Sequence, residues 1–213
     1  MLRVSLRTAA TVAAAECCCC HWLRLLLLLR LLLMAADLLA FVPGLPCYGL
    51  QTGCIFSLHM QLQLHQWQLW LNLEKRSEAW PCLPQPLAAR CFEAFCSEEG
   101  TPSRLQRAVV RELGALKLEP REEVRTPQGY SLDAVVSIDG HEVAVEVDGP
   151  SHFVGRVPNS ATMLKRRQLL AARWPLLSVP YWEWDELTDA SMRRNYLEQG
   201  LQGVLAAFRQ HSS

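Results

Sequence analysis

The pair Asp139-Gly140, set between two alternating segments, constrains the fold of this 213-residue chain more than any other feature. Apolar side chains recur at every second position in residues 130–138 and 141–148, as in strands that are buried on one face. Asp-Gly between two such segments is typical of a type I′ turn, which joins antiparallel strands through two residues. The sequence therefore predicts a β-hairpin in the C-terminal half of the chain.

The two-residue turn also determines which side chains face each other across this hairpin. Ile138 pairs with His141, so Asp133 lies directly opposite Glu146, and Asp148 follows on the same face. Carboxylates that face each other destabilise a sheet unless their charge is offset. A divalent cation such as Mg²⁺, a raised pKa on one carboxyl group, or a nearby lysine or arginine would offset it. The alternative is a bulge or register shift that separates the carboxylates.

A sharp turn and a basic helix follow the hairpin. Gly149-Pro150 ends the strand, and His152 follows at a strand end, a common place for ligand-binding groups. The alternative is a structural histidine that holds the loop. Residues 155–160 form a predicted flexible loop, and Asn159 or Ser160 caps a predicted helix that runs to about Arg173.

This predicted helix contains three consecutive basic residues, Lys165, Arg166 and Arg167. A solvated helix face is the ordinary interpretation of such a run. Because the helix follows the acidic strand directly, one basic side chain could instead reach Glu146 or Asp148. The others could contact phosphates.

The last predicted strand is the apolar run at residues 176–182, which we expect to lie parallel to the Glu146 strand because a helix crosses between them. Tyr181, Trp182 and Trp184 either stack on nucleic-acid bases or pack in the core. A final helix is predicted at residues 185–210. The order helix, hairpin, helix, strand, helix predicts an α/β fold with a small mixed sheet flanked by helices.

Two segments precede this predicted domain of residues 101–213. Residues 43–100 form a predicted helical extension, with one helix at residues 55–80 and a short helix at residues 87–96. His59 and His65 are six residues apart and do not share a face as a metal pair would. Residues 98–102 are the predicted linker, and Thr101-Pro102 starts the next helix.

Residues 1–42 form a Leu-rich, low-complexity segment. Its first fifteen residues are basic, rich in hydroxyl groups and free of acids, as in an organellar targeting peptide. Residues 23–42 are long enough to span a bilayer, but Arg24, Arg30 and Asp37 interrupt them, so we do not expect a membrane association. A poorly ordered terminus is the third interpretation.

Cysteine usage and net charge exclude some classes of protein. The nine cysteines all lie at or before Cys96, with neither paired metal-binding motifs nor a secreted disulfide framework, which favours a reducing compartment. The net charge is +0, so a basic surface for nucleic acid can only be a local patch.

Four segments together resemble the RAP domain, a short C-terminal module of FAST-kinase-domain proteins in mitochondria and of algal and plant chloroplast proteins. They are residues 132–136 (LDAVV), residues 143–153 (VAVEVDGPSHF), the helix with Lys165, Arg166 and Arg167, and residues 176–187 (LLSVPYWEWDEL). The resemblance covers residues 132–187 and implies RNA binding in organelle RNA metabolism. Most RAP proteins have helical repeats upstream. No repeat period is visible here, which suggests a short member or a fragment.

The RAP fold is similar to PD-(D/E)XK endonuclease-like domains, which implies a second set of roles. Asp133 and Glu146 match the two acids of that pattern, whereas Asp148 stands at the position of its lysine. Lys165 on the next helix is the candidate replacement. If the domain is a nuclease, the resemblance implies that Asp133 and Glu146 bind Mg²⁺, that Asp148 completes the site or acts as base, and that His152 or Lys165 assists the phosphate.

The sequence therefore supports three hypotheses. The first is an RNA-binding protein of the mitochondrion or chloroplast that binds single-stranded transcripts, with other organellar RNA-processing proteins as partners. The second is a Mg²⁺-dependent nuclease, and the third is an inactive interaction module. The residues predicted to bind RNA are His152, Lys165, Arg166, Arg167, Tyr181, Trp182 and Trp184.

Overall fold

A four-stranded sheet organises the C-terminal part of the computed structural model, which describes residues 57–75, 82–97 and 100–210. The predicted targeting segment at residues 1–42 lies outside the described residues. The strands of the sheet are β1 (Arg121–Arg125), β2 (Ser131–Ile138), β3 (His141–Asp148) and β6 (Leu176–Pro180), and a small separate hairpin contains β4 (Phe153–Val154) and β5 (Val157–Pro158). The helices are α1 (Leu58–Trp70, continued by a π-helical turn, Leu71–Lys75), α2 (Gln85–Cys96), α3 (Arg104–Ala115), α4 (Ser160–Ala171), α5 (Tyr181–Glu186) and α6 (Ala190–Gln210).

The predicted hairpin register is confirmed as far as Ala134 and Val145, and the predicted pair of Asp133 with Glu146 lies beyond the regular pairing. Ile138 pairs with His141 and Ala134 with Val145. Asp139 and Gly140 have φ angles of 50° and 77°, as both central residues of a type I′ turn require. The strand order is β1-β2-β3-β6, with β6 parallel to β3 and the other pairs antiparallel, so the predicted mixed α/β fold is confirmed.

The alternation predicted for β2 breaks at Asp133. Regular pairing with β3 stops at Ala134, and Asp133 Oδ2 instead accepts the Val147 N–H at 2.7 Å. Leu132 packs with Val135, whereas Ala134 packs in the other apolar cluster, so the alternation predicted for residues 130–138 is wrong between Leu132 and Ala134. The carboxylate thus replaces a ladder hydrogen bond at the end of the hairpin.

Helices pack on both faces of the sheet, because each face is apolar. Val109 and Leu113 of α3 and Leu201 of α6 pack with Val143 and Val145 on one face. The other face is covered by α1, α2 and α4, and its cluster consists of Leu69, Phe95, Tyr130, Leu132, Val135, Ala144 and Leu169. None of the described helices has both the length and the apolar character needed to cross a bilayer.

Buried hydrogen bonds join the helical extension to the sheet layer. The fully buried Gln168 of α4 donates to the Gln66 carbonyl at 2.8 Å and accepts from the Tyr130 hydroxyl at 2.7 Å. The His65 ring nitrogen bonds the Gln128 carbonyl at 2.8 Å. Residues 58–75 and 82–96 therefore complete the core of the sheet, while a domain boundary at residues 98–102 stays a prediction.

Several predicted element ends are wrong by a few residues for local reasons. Helix α3 begins at Arg104, because the Ser103 hydroxyl, not Thr101, accepts the Gln106 N–H as N-cap. Helix α6 begins at Ala190, where Asp189 caps it by accepting the Met192 N–H. The last strand ends at Pro180, and residues 181–186 are helical.

Two glycines of α6 test how tightly this helix packs on the sheet. A Cβ added at Gly200 would lie 2.8 Å from Leu177 Cδ1, whereas one added at Gly203 would have no atom within 4 Å. Gly200→Ala is expected to lower the free energy of unfolding by about 1 kcal/mol, since Leu177 is buried in the core. Gly203→Ala is expected to raise it by up to about 1 kcal/mol through helix propensity. Urea denaturation of both variants measures this, and equal shifts would contradict it.

Candidate functional site

Strands β3 and β6 run parallel and end side by side, at Asp148 and Pro180. The predicted site residues lie on these two strands, on α4 above them, and on the segments that follow the strand ends. The carboxyl ends of neighbouring parallel strands are a common position for binding groups in α/β sheets.

Glu146 is buried against a lysine. The Lys165 ammonium lies 2.5 Å from Glu146 Oε2, and Glu146 Oε1 has no hydrogen-bond partner among the described residues. The pKa of Glu146 is raised to about 7, chiefly by burial and also by the charges of Asp133 and Asp148, although Lys165 favours the charged form. A basic residue and a raised pKa, two of the three predicted means of offsetting the charge, are therefore both present.

Asp133 contributes to the same electrostatic group. Burial raises the pKa of its carboxyl group, although the hydrogen bond from the Val147 N–H and the charge of Lys165 lower it. Asp133 is thus occupied by a backbone donor on the hairpin rather than exposed on the sheet surface.

Asp148 is the centre of a second network. Its Oδ2 accepts from Arg166 at 2.5 Å and from the Ser178 hydroxyl at 2.6 Å, and its Oδ1 lies 3.1 Å from His152 Nδ1. Burial raises the pKa of Asp148, but the hydrogen bonds from His152 and Ser178 and the Arg166 charge outweigh burial and leave the pKa low. The hydrogen bond to Asp148 raises the pKa of His152.

The three basic residues of α4 have different environments. The side chains of Lys165 and Arg166 are about one quarter exposed, and each pairs with a buried carboxylate. Arg167 is 58% exposed and lies 3.0 Å from Glu74 of the π-helical turn. We expected that one basic side chain could reach the acids of β3, and two of them do, Lys165 and Arg166.

Mg²⁺ binding by Asp133 and Glu146 stays a prediction, and one oxygen of each carboxylate is already engaged. Lys165 pairs with Oε2 of Glu146 and Asp133 Oδ2 accepts a backbone N–H, whereas Glu146 Oε1 has no hydrogen-bond partner among the described residues. Throughout residues 57–75, 82–97 and 100–210, no three His, Cys, Asp or Glu side chains gather as metal ligands. Mg²⁺ binding requires oxygen ligands that are free to point at the ion.

Of the three aromatic residues predicted to stack on bases, two lie at the surface and one lies in the core. Trp184 is 2% exposed, packs in the core, and lies under the Arg193 guanidinium, so the prediction that Trp184 stacks on RNA is wrong. Tyr181 and Trp182 remain partly exposed, with ring centroids 5.2 Å apart. Strand propensity of the aromatic residues extended the predicted strand through Trp182, whereas pairing with β3 ends at Pro180.

Three residues near the strand ends were missed by the sequence analysis. Ser178 joins the Asp148 network, Phe153 lies 4.4 Å from Trp182 between ring centroids, and the Arg156 guanidinium lies 5.7 Å over the Trp182 ring. The predicted loop at residues 155–160 is in fact the turn and second strand of the β4–β5 hairpin, followed by the start of α4. Gly155-Arg156 between two short apolar pairs is the signal that could have indicated this hairpin.

Comparison with known proteins agrees with the resemblance found in the sequence. The family model described as "RAP domain" matches residues 145–199, from within β3 into α6. The chain is also 40% identical over 76 residues to "RAP domain-containing protein, chloroplastic" of Oryza sativa subsp. japonica. This similarity covers 35% of the chain and 12% of the relative's length. Residues 145–199 of this chain therefore form a RAP domain.

Proposed function

We propose that this chain binds single-stranded organellar RNA through its RAP domain and acts in transcript processing, stability or translation. The observation that carries the proposal is the surface beyond the ends of β3 and β6. There, the partly exposed rings of Phe153, Tyr181 and Trp182 lie together, with the Arg156 guanidinium over the Trp182 ring. His152, also partly exposed, directly precedes Phe153 in the chain. Single strands bind proteins by stacking unpaired bases on aromatic rings while cations contact the backbone.

The proposed location is the mitochondrion or the chloroplast. The basic, acid-free start of the sequence supports import into an organelle, and the name of the rice relative favours the chloroplast. Other RNA-processing proteins of the same compartment are the proposed partners, because one RAP domain offers a small surface for selecting a transcript.

Binding is expected to be independent of Mg²⁺. Lys165 already neutralises Glu146, so the site requires no metal ion to offset its acidic charge. The full chain, mixed with fluorescently labelled single-stranded RNA, should show the same affinity in Mg²⁺ and in EDTA. The affinity should fall with added salt, and the RNA should stay intact on a denaturing gel.

An Asp133→Asn variant separates this proposal from the nuclease alternative. A binding protein should give equal affinities for the variant and the parent chain, without cleavage by either. Cleavage that requires Mg²⁺ and is lost in Asp133→Asn would establish a nuclease instead. A parent chain that binds no RNA at moderate salt would contradict both the RNA-binding and the nuclease hypotheses. The inactive interaction module would then be the remaining hypothesis.

A further inference from the structure

We infer that RNA binds to the aromatic platform formed by Phe153, Tyr181 and Trp182, with Arg156 and His152 as its backbone contacts, and not to the basic helix α4. This inference rests on the proposed RNA binding and assigns it a surface. Its ligand is a run of unpaired nucleotides.

The basic residues of α4 are poorly suited to phosphates. Lys165 and Arg166 each lie 2.5 Å from a carboxylate oxygen that is almost fully buried. A phosphate contact would have to break these pairs and leave a buried carboxylate without its cation, which is costly. Arg167 is exposed but already has Glu74 as its partner.

Arg156 differs from them in its surroundings. It is exposed at the turn of the β4–β5 hairpin, and it forms no salt bridge with any of the described residues. Its contact is the ring of Trp182, with the guanidinium carbon 5.7 Å from the centroid. A guanidinium over an indole can move to a phosphate and leave the ring face to a base, since both ligands are attracted to the same π-surface.

His152, the residue before Phe153, is the second candidate for a backbone contact. Asp148 Oδ1 holds its Nδ1 at 3.1 Å, and the Thr162 hydroxyl lies 3.5 Å from the same nitrogen. Because Nδ1 is occupied, Nε2 is the nitrogen left for a ligand, and the side chain is 41% exposed. Asp148 thus fixes the orientation of the His152 imidazole.

The hairpin that positions Phe153 and Arg156 is anchored at its base. The Asn159 N–H donates to the His152 carbonyl at 2.9 Å, and the Asn159 side chain donates to the Ser151 carbonyl at 2.8 Å. Near its tip, Val154 and Val157 are 75% and 64% exposed and extend the apolar surface toward solvent. A platform held in place before binding loses less conformational entropy when RNA binds.

Unpaired bases are the ligand that this surface fits. In a duplex the faces of the bases are covered by their neighbours, so aromatic rings stack only on bases of a single strand. Stacking accepts every base, and we therefore expect little preference for sequence. A duplex of the same sequence should compete poorly.

The test measures the Kd of the full chain and its variants for labelled single-stranded RNA by fluorescence anisotropy. Trp182→Ala and Arg156→Ala are each expected to weaken binding about tenfold. Trp70→Ala is the matched control, since Trp70 is also partly exposed and lies 5.2 Å under a cation, Lys75, but on α1. Trp70→Ala and Arg167→Ala should keep Kd within about twofold of the parent.

The outcomes separate this inference from the proposed function. If the parent chain binds RNA but Trp182→Ala and Arg156→Ala bind equally well, or if duplex competes as well as single strand, the platform is not the site. If Arg167→Ala is the variant that weakens binding, α4 is the site. A parent chain without RNA affinity overturns the proposed function itself. Arg156 is exposed, so its variant should keep the parent's melting temperature and report on binding alone.

Discussion

Replacing Arg166 with methionine is expected to lower the free energy of unfolding by about 3 kcal/mol. Arg166 lies 2.5 Å from Asp148 Oδ2, and the Asp148 side chain is 2% exposed. Methionine keeps most of the aliphatic stem but removes the cation, so the folded protein must hold a buried carboxylate with less compensation. Ser178 and His152 still donate to Asp148, which keeps the loss at the lower end of the range for buried pairs.

Arg167→Met is the matched control for this prediction, because it changes the neighbouring residue of the same helix. Arg167 is 58% exposed, and its pair with Glu74 is worth at most about 1 kcal/mol. Urea denaturation at neutral pH gives both free energies of unfolding. Equal losses in the two variants would show that the Asp148 network does not determine the stability of this sheet edge.

The free energy of unfolding of the parent chain is expected to fall between about pH 5 and pH 7. Replacing Glu146 with glutamine is expected to remove most of this fall. The pKa of Glu146 is about 7 in the folded protein, above its ordinary value of 4.5, because the side chain is buried. Between these values the folded state binds more protons than the unfolded state, so the free energy of unfolding falls as the pH rises. The total fall from this group is about 3 kcal/mol.

Urea denaturation across this pH range tests the prediction. The parent chain should lose stability toward pH 7, and Glu146→Gln should show a flatter profile and exceed the parent above pH 7. Asp133 contributes a smaller decline of the same sign, since burial raises its pKa as well. Glu142→Gln changes a carboxylate at the exposed start of the same strand, where the side chain is 51% exposed, and should keep the parent's slope. A free energy of unfolding of the parent chain that rises toward pH 7 would contradict the prediction.

Local chemistry explains which features could be predicted from the sequence. Asp139-Gly140 determines its own turn, and the turn determines the register from Ile138 to Ala134 without help from the rest of the chain. The cap at Asn159 is equally local, since its side chain accepts the Thr162 N–H three residues later. These elements needed no tertiary information.

Other features depend on packing that the sequence does not display. Strand β1 was missed because Arg-Glu-Glu-Val-Arg has no apolar alternation, and it forms only as an edge strand against β2. The sequence indicates that one basic residue of α4 could reach the acids, but not which one. The pairing of Lys165 and Arg166 with these acids depends on where the crossover places α4 over β3. Trp184 has the same local sequence context as Trp182, and only the tertiary fold makes one core and the other surface.

The hydrogen bond between Gln168 and the Gln66 carbonyl joins residues 102 positions apart. During translation, α1 therefore leaves the ribosome well before the helix that it packs against. A ribosome adds about 5 to 20 residues per second, so α1 is synthesised roughly 5 to 20 s before the helix that receives it. During that interval the apolar side chains of α1, including Leu64, Trp67 and Leu69, have no completed sheet beneath them. Among the described elements, α1 is therefore made first and waits longest for the surface that buries its apolar side chains.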